Sequence, residues 1–163
     1  LSEELKRLNY RALRFAFALC IGIAIVEGFL GTEGLQTWYV NLAKPSWHVP
    51  IWGFVIIAIV VYLINGFIAY RLCVVALAWG HRVIGLTALL VVMLFNALWN
   101  YALFESQNLL IGLLGLIAFV APLTIFQVAL LIYDRWSAVA LGFYFTWVVF
   151  YDIPLYYAMW QLN

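Results

Sequence analysis

Charge is what this sequence has least of. Acidic and basic side chains make up 9% of its 163 residues, against 68% hydrophobic ones, and the mean hydropathy is +1.07. A soluble globular domain carries roughly 25% charged residues, so water cannot be the solvent for most of this surface. The net charge of +1 gives a nucleic acid no electrostatic hold. Cysteine is as scarce. Cys20 and Cys73 stand alone in separate apolar runs, without the spacing that a disulfide framework or a zinc site requires. They read as small buried side chains. His48 and His81 are the two histidines, each alone in its region. His48 sits where it could meet a metallated tetrapyrrole, but a lone histidine is more often polar surface, and no metal site is expected. There is no Ser/His/Asp set, P-loop or glycine-rich dinucleotide fingerprint. No catalytic residue is nominated, and neither triad hydrolysis nor nucleotide-driven pumping finds support.

Long apolar runs are what the sequence has instead. A helix needs about 20 mostly apolar residues to cross the hydrocarbon core. Five runs qualify, at roughly 13–31, 51–73, 83–104, 109–132 and 137–160. They are continuously apolar rather than alternating, and their number is odd, which does not suit a barrel. The sequence therefore predicts an all-α integral membrane bundle of five transmembrane helices, forming one domain over 1–163. Arg11 and Arg14 precede the first run as in a secretory signal, but no small-residue cleavage site follows, so that helix is expected to stay. The links at 105–108 and 133–136 are short and force antiparallel neighbours. The 32–50 connection is long enough to fold over one end of the bundle as a lid.

Orientation follows from the basic residues. Lys6, Arg7, Arg11, Arg14, Arg71, Arg82 and Arg135 fall on the side of the N-terminus, and Lys44 on the other. This bias places the N-terminus in the cytoplasm and the C-terminus and the 32–50 loop outside. Trp38, Trp47, Trp52 and Trp160 fall near the outer interface and Trp79 and Trp136 near the inner one, as aromatic belts do. Trp99 and Trp147 are drawn into spans, where a belt explains them less well.

Polar residues inside spans mark either helix contacts or a cavity. Asn96, Trp99 and Asn100 share one face of the third span by their spacings of three and four. Tyr144, Trp147 and Tyr151 share a face of the fifth, followed by Asp152 and Pro154. Such rings offer flat apolar faces with a polar edge, suited to a planar ligand. Tyr62, Asn65 and Gly66 lie in the second span; Gly66, like Gly112 and Gly115 in the fourth, permits close helix approach. Glu27, Glu105 and Asp152 all lie toward the outer side, where a position near the interface would explain them. In the loop, Pro45 and Pro50 stiffen an aromatic segment holding Trp38 and Trp47.

The series Trp38-x-x-x-Leu42-x-Lys44-Pro45-Ser46-Trp47-x-x-Pro50, followed by Tyr62 and Gly66, resembles the translocator protein family. This is the TspO/MBR family, also called tryptophan-rich sensory protein or peripheral benzodiazepine receptor. Asn96, Trp99 and Phe104 resemble its third-helix pattern, and Tyr144, Trp147 and Phe150 its fifth. The resemblance spans about residues 13–163. It implies a five-helix bundle, often a homodimer, with a pocket beneath the first loop for porphyrins, other flat hydrophobic molecules and, in some members, steroids. Asn96, Trp99, Tyr144 and Trp147 would line the pocket, with Trp38 and Trp47 in or near the lid.

There are departures. Val49-Pro50 replaces the usual Pro-Pro, and Val55-Ile56-Ile57-Ala58 replaces Gly-Pro-x-Trp, removing a tryptophan that the family ties to light-dependent porphyrin breakdown. Phe143 stands where a proline usually precedes Tyr144. Asp152-Ile153-Pro154-Leu155-Tyr156 replaces an Ala-x-x-Leu-Asn stretch, with the register offset by about one residue. The expected function is a receptor or carrier in a bacterial inner membrane. It would need no cofactor and would bind a porphyrin, a similar tetrapyrrole or a lipid, through Trp38, Trp47, Tyr62, Asn96, Trp99, Asn100, Tyr144, Trp147 and Tyr151. One alternative is a structural subunit of a larger membrane complex that kept the fold and lost the ligand chemistry. A second is a light-dependent porphyrin-modifying enzyme using Tyr151 or Asp152.

Overall fold

The computed structural model describes residues 9–163; Lys6 and Arg7, counted in the charge bias, lie outside them. Among the described residues five helices are long and apolar enough to cross a membrane. The first, α1, runs Tyr10–Thr37 and is opened by Asn9, whose side-chain oxygen accepts the N–H groups of Arg11 and Ala12 at 3.2 and 3.1 Å. Its 28 residues extend about 42 Å, well beyond the hydrocarbon core. The apolar run stops near residue 31, but the helix does not. Its last turns are polar (Glu33, Gln36, Thr37) and are held by packing on the end of the third helix. Gly34 lies so close that an added methyl would sit 2.6 Å from the Phe104 carbonyl oxygen. The lid expected over 32–50 is therefore the shorter segment 38–50, including a single 3₁₀ turn at Tyr39–Asn41.

Pro50 caps α2 (Ile51–Val74), which a short link joins to α3 (Trp79–Ser106). The turn into α4 (Leu109–Tyr133) is two residues long. Gln107 takes a left-handed conformation, φ 49°, and the Asn108 side chain accepts from Leu110 N at 2.9 Å and Ile111 N at 3.2 Å. Asp134 caps α5 (Arg135–Trp147) through Ser137 N. A π turn at Val148–Asp152 leads into α6 (Ile153–Leu162), and together these make the fifth span.

The π turn has a chemical cause. Pro154 has no N–H, and its ring would crowd the carbonyl four residues back, that of Phe150. A π turn admits one residue more than an α turn does. The turn falls in the stretch where the register is offset by about one residue from the family pattern.

α1 packs on α2 and α3, α4 on α3 and on α5 with α6, and α2 closes against α5. The order around the bundle is α1–α2–α5–α4–α3. α4 supplies the densest part of the core, with Phe119, Leu123, Phe126 and Leu130 fully buried. Phe29, Ile125, Phe143 and Phe150 are at least 69% exposed, as expected where lipid is the solvent. At the end opposite the covering segment Arg71 grips Asp134 through two nitrogens, at 2.6 and 2.5 Å.

Candidate functional site

Beneath the 38–50 segment the helices enclose a cavity of about 260 Å³. α1 contributes Ile23, Glu27 and Leu35; α2 gives Ile51, Val55, Ala58, Tyr62 and Asn65; α3 gives Asn96, Trp99 and Asn100. The fifth span gives Tyr144, Trp147, Asp152 and Tyr156, and Tyr39 closes the top.

One polar network ties these walls together. The Glu27 carboxylate accepts hydrogen bonds from the Tyr62 hydroxyl and from the side-chain amides of Asn96 at 2.5 Å and Asn100 at 3.1 Å. Asn96 in turn accepts from the Tyr144 hydroxyl at 3.0 Å. α1, α2 and α3 therefore meet at one carboxylate, and the fifth span joins them through Asn96. The shared face of Asn96 and Asn100 does serve helix contacts, and it borders the cavity as well.

The tryptophans differ in what they leave free. The Trp99 indole N–H donates to the Gly112 carbonyl at 2.8 Å, and its ring lies edge-on to Tyr156. Gly115 makes room for it, while Gly112 makes room for Leu103. A methyl at Gly115 would meet Trp99 Cδ1 at 2.6 Å. Trp147 stacks on Tyr151 with centroids 4.1 Å apart, and its indole is a hydrogen-bonding neighbour of Asp152.

The covering segment is fastened at several points. The Tyr151 hydroxyl accepts from Val49 N at 2.7 Å, and Trp47 meets the Tyr151 ring edge-on at 5.8 Å. Lys44 Nζ donates to the carbonyls of Tyr39, Val40 and Leu42 at 2.7, 3.2 and 3.0 Å. Ala43 exchanges two hydrogen bonds with the Asn163 side chain. His48 packs on Phe54 and buries a ring nitrogen without a partner. Burial, and then the charge of Lys44, hold its pKa below the ordinary histidine value.

Of the nine residues nominated from sequence, Tyr62, Asn96, Trp99, Asn100, Tyr144 and Trp147 line the cavity. Tyr151 lies one layer behind Trp147, and Trp47, half exposed, lies outside Tyr151. Trp38 borders a separate shallow depression with Thr37, Asn41, Leu42 and Gln107. Glu27, Tyr39, Asn65 and Asp152 line the cavity without having been nominated. Glu27 and Asp152, read as acids near the interface, are wall residues. Glu105 is exposed.

Fold and cavity together define a multi-pass membrane protein whose helices enclose an aromatic-walled space. The TspO/MBR family profile matches residues 16–161, and the chain belongs to this family. Among curated relatives, the Tryptophan-rich protein TspO of Chlorobaculum tepidum is 26% identical over 152 residues, covering 90% of this chain and 94% of that protein. Protein CrtK of Rhodobacter capsulatus is 29% identical over 158 residues, covering 96% of this chain and 94% of that protein.

Proposed function

We propose that this protein is a membrane receptor or carrier that takes a planar hydrophobic ligand, a tetrapyrrole or a molecule of similar shape, into the cavity under the 38–50 segment. The observation that carries the reading is the wall itself, where Trp99, Tyr144 and Trp147 line one space together with the Glu27 network. Flat rings there supply contact area, and Trp147 is the principal stacking surface. The family resemblance implies the same class of ligand. At about 260 Å³ the cavity lies just under the roughly 300–1,000 Å³ usual for small-molecule sites. A full macrocycle therefore enters only as the covering segment gives way.

Binding is favoured over modification of the ligand. The α2 wall is aliphatic at Val55, Ile57 and Ala58, and the family's photochemical tryptophan is missing there. These substitutions leave the space open, which argues for a ligand rather than a purely structural subunit. The charge bias supports a cytoplasmic N-terminus in a bacterial inner membrane, and the family resemblance a homodimer.

The test is a protoporphyrin titration read by tryptophan quenching, preceded by an absorption spectrum of the freshly extracted protein. Trp147→Ala is expected to weaken binding at least about tenfold, the loss of roughly one stacked aromatic contact. A superimposable titration curve would count against the site. Stoichiometric partner subunits after mild extraction, with no saturable quenching, would point to the scaffold alternative.

A further inference from the structure

The cavity is rich in acceptors and has nothing cationic to match them. Glu27 and Asp152 both line it, and among the described residues its wall holds no lysine, arginine or histidine. Lys44, in the covering segment, spends its ammonium on three backbone carbonyls. Glu27 is satisfied by Tyr62, Asn96 and Asn100. Asp152 has much less: among the described residues Trp147 is the one hydrogen-bonding neighbour of its side chain. An independent observation points the same way. Asn65 is 3% exposed, borders the cavity, and buries a side-chain oxygen with no partner.

A carboxyl within a membrane span is costly as the anion unless it is paired, protonated or near water, and an unpartnered buried acceptor carries its own desolvation penalty. Among the described residues the Trp147 indole is the one donor beside Asp152, no cationic group in this wall pairs with it, and no protein group relieves the Asn65 oxygen. The sequence context sharpens the point, because Asp152 lies in the stretch where this chain departs from the family pattern. A cationic group arriving with the ligand would supply the countercharge that this wall lacks.

We propose that the cavity selects planar hydrophobic ligands bearing a protonated amine or a comparable cationic donor, with Asp152 as the pairing carboxylate and the Asn65 oxygen as a second acceptor. The proposal rests on the ligand-binding reading above and specifies its chemistry. It also orients an acidic tetrapyrrole. Carboxylate side arms have no countercharge in this wall, so such a ligand enters with its carboxylates turned outward and its pyrrole N–H groups inward.

Three tricyclic probes of nearly equal shape test this: aminomethylanthracene as its ammonium, neutral methylanthracene, and anthracenecarboxylate. Each is titrated into the protein in phosphatidylcholine nanodiscs, whose zwitterionic surface does not sort the probes by charge. Energy transfer from tryptophan reports binding. The ammonium probe is expected to bind at least about tenfold more tightly than the carboxylate, and Asp152→Asn to reduce that ratio several-fold. The ratio is taken within one sample, so it does not depend on how much of the variant is folded. Equal saturable binding of all three probes overturns the selectivity and leaves the ligand cavity standing. No saturable binding of any probe overturns both. An ammonium preference unchanged in Asp152→Asn overturns the assignment to Asp152.

Discussion

A methyl group at Gly115 would lie 2.6 Å from Trp99 Cδ1, and that ring cannot easily yield, because its N–H is fixed on the Gly112 carbonyl. Overpacking of this kind costs about 1–3 kcal/mol. Gly115→Ala is therefore expected to lower the thermal midpoint in detergent and shift the tryptophan emission; wild-type values for both would show that the indole has room to move. Glu27 makes the opposite case, a side chain whose removal strands its neighbours. Glu27→Ala leaves three donors without their acceptor. Interhelical hydrogen bonds in membranes contribute about 0.6–1.7 kcal/mol each, so roughly 2 kcal/mol or more is expected to be lost. Glu27→Gln, which keeps an acceptor oxygen, should lose less, and equal losses in unfolding titrations would contradict the network. The sequence makes the Asn96–Trp99–Asn100 face legible through helical spacing alone. It does not reveal the hub, since Glu27 meets Asn96 across 69 positions. Nothing local marks which of several in-span polar residues that face will find.

At the scale of elements, apolar runs reported where lipid is, not where helices end. Hydropathy therefore located all five spans and missed the polar last turns of α1, which owe their helicity to the close approach of Gly34 to Phe104. The π turn was foreshadowed only by Pro154 and the offset in register, because a sequence does not say how the backbone will bond around a proline. With the covering segment cut to 38–50, its fastening becomes testable at His48. Its pKa lies below the ordinary value because the ring is buried beside Lys44. An opened segment then takes up a proton more readily than a closed one. Closure is at full strength above the ordinary histidine pKa of about 6.5 and weakens as pH falls below it. The Val49 amide, bonded to the Tyr151 hydroxyl, is the natural reporter. Its hydrogen exchange, corrected for intrinsic rates, should be less protected at acid pH than at neutral pH, and His48→Phe should abolish the difference. Equal protection at both in the wild type would sink the idea.

Across the whole molecule, the two ends of the bundle carry different chemistry, and the sequence shows this in outline. Basic residues collect where α1 begins, α2 ends, and α3 and α5 begin, while the covering segment holds Lys44. The order of helices around the ring is not legible, because nearly every run is apolar on all sides and no stripe declares its partner. What fixes α2 beside α5 at the basic end is the Arg71–Asp134 pair, 63 positions apart in sequence. Asp134 is buried, and burial alone would raise its pKa. The Arg71 guanidinium, with the Ser137 hydroxyl and amide, outweighs this and holds the carboxyl below its ordinary value. A carboxylate depressed in the folded state contributes its full stability above the ordinary aspartate pKa of about 3.9, and that contribution is lost as pH falls through the lower folded value. Breaking a buried pair costs about 3–5 kcal/mol, and the partial exposure of Arg71 reduces this, so Asp134→Asn is expected to cost about 2 kcal/mol near neutral pH. In mixed-micelle unfolding, the wild type should lose stability as pH falls below about 4, while Asp134→Asn stays level over the same interval. Parallel pH profiles for the two proteins would mean that the pair does not hold this end of the bundle together, and the packing of Leu72, Leu130 and Ala138, all within 1% of complete burial, would have to do so alone.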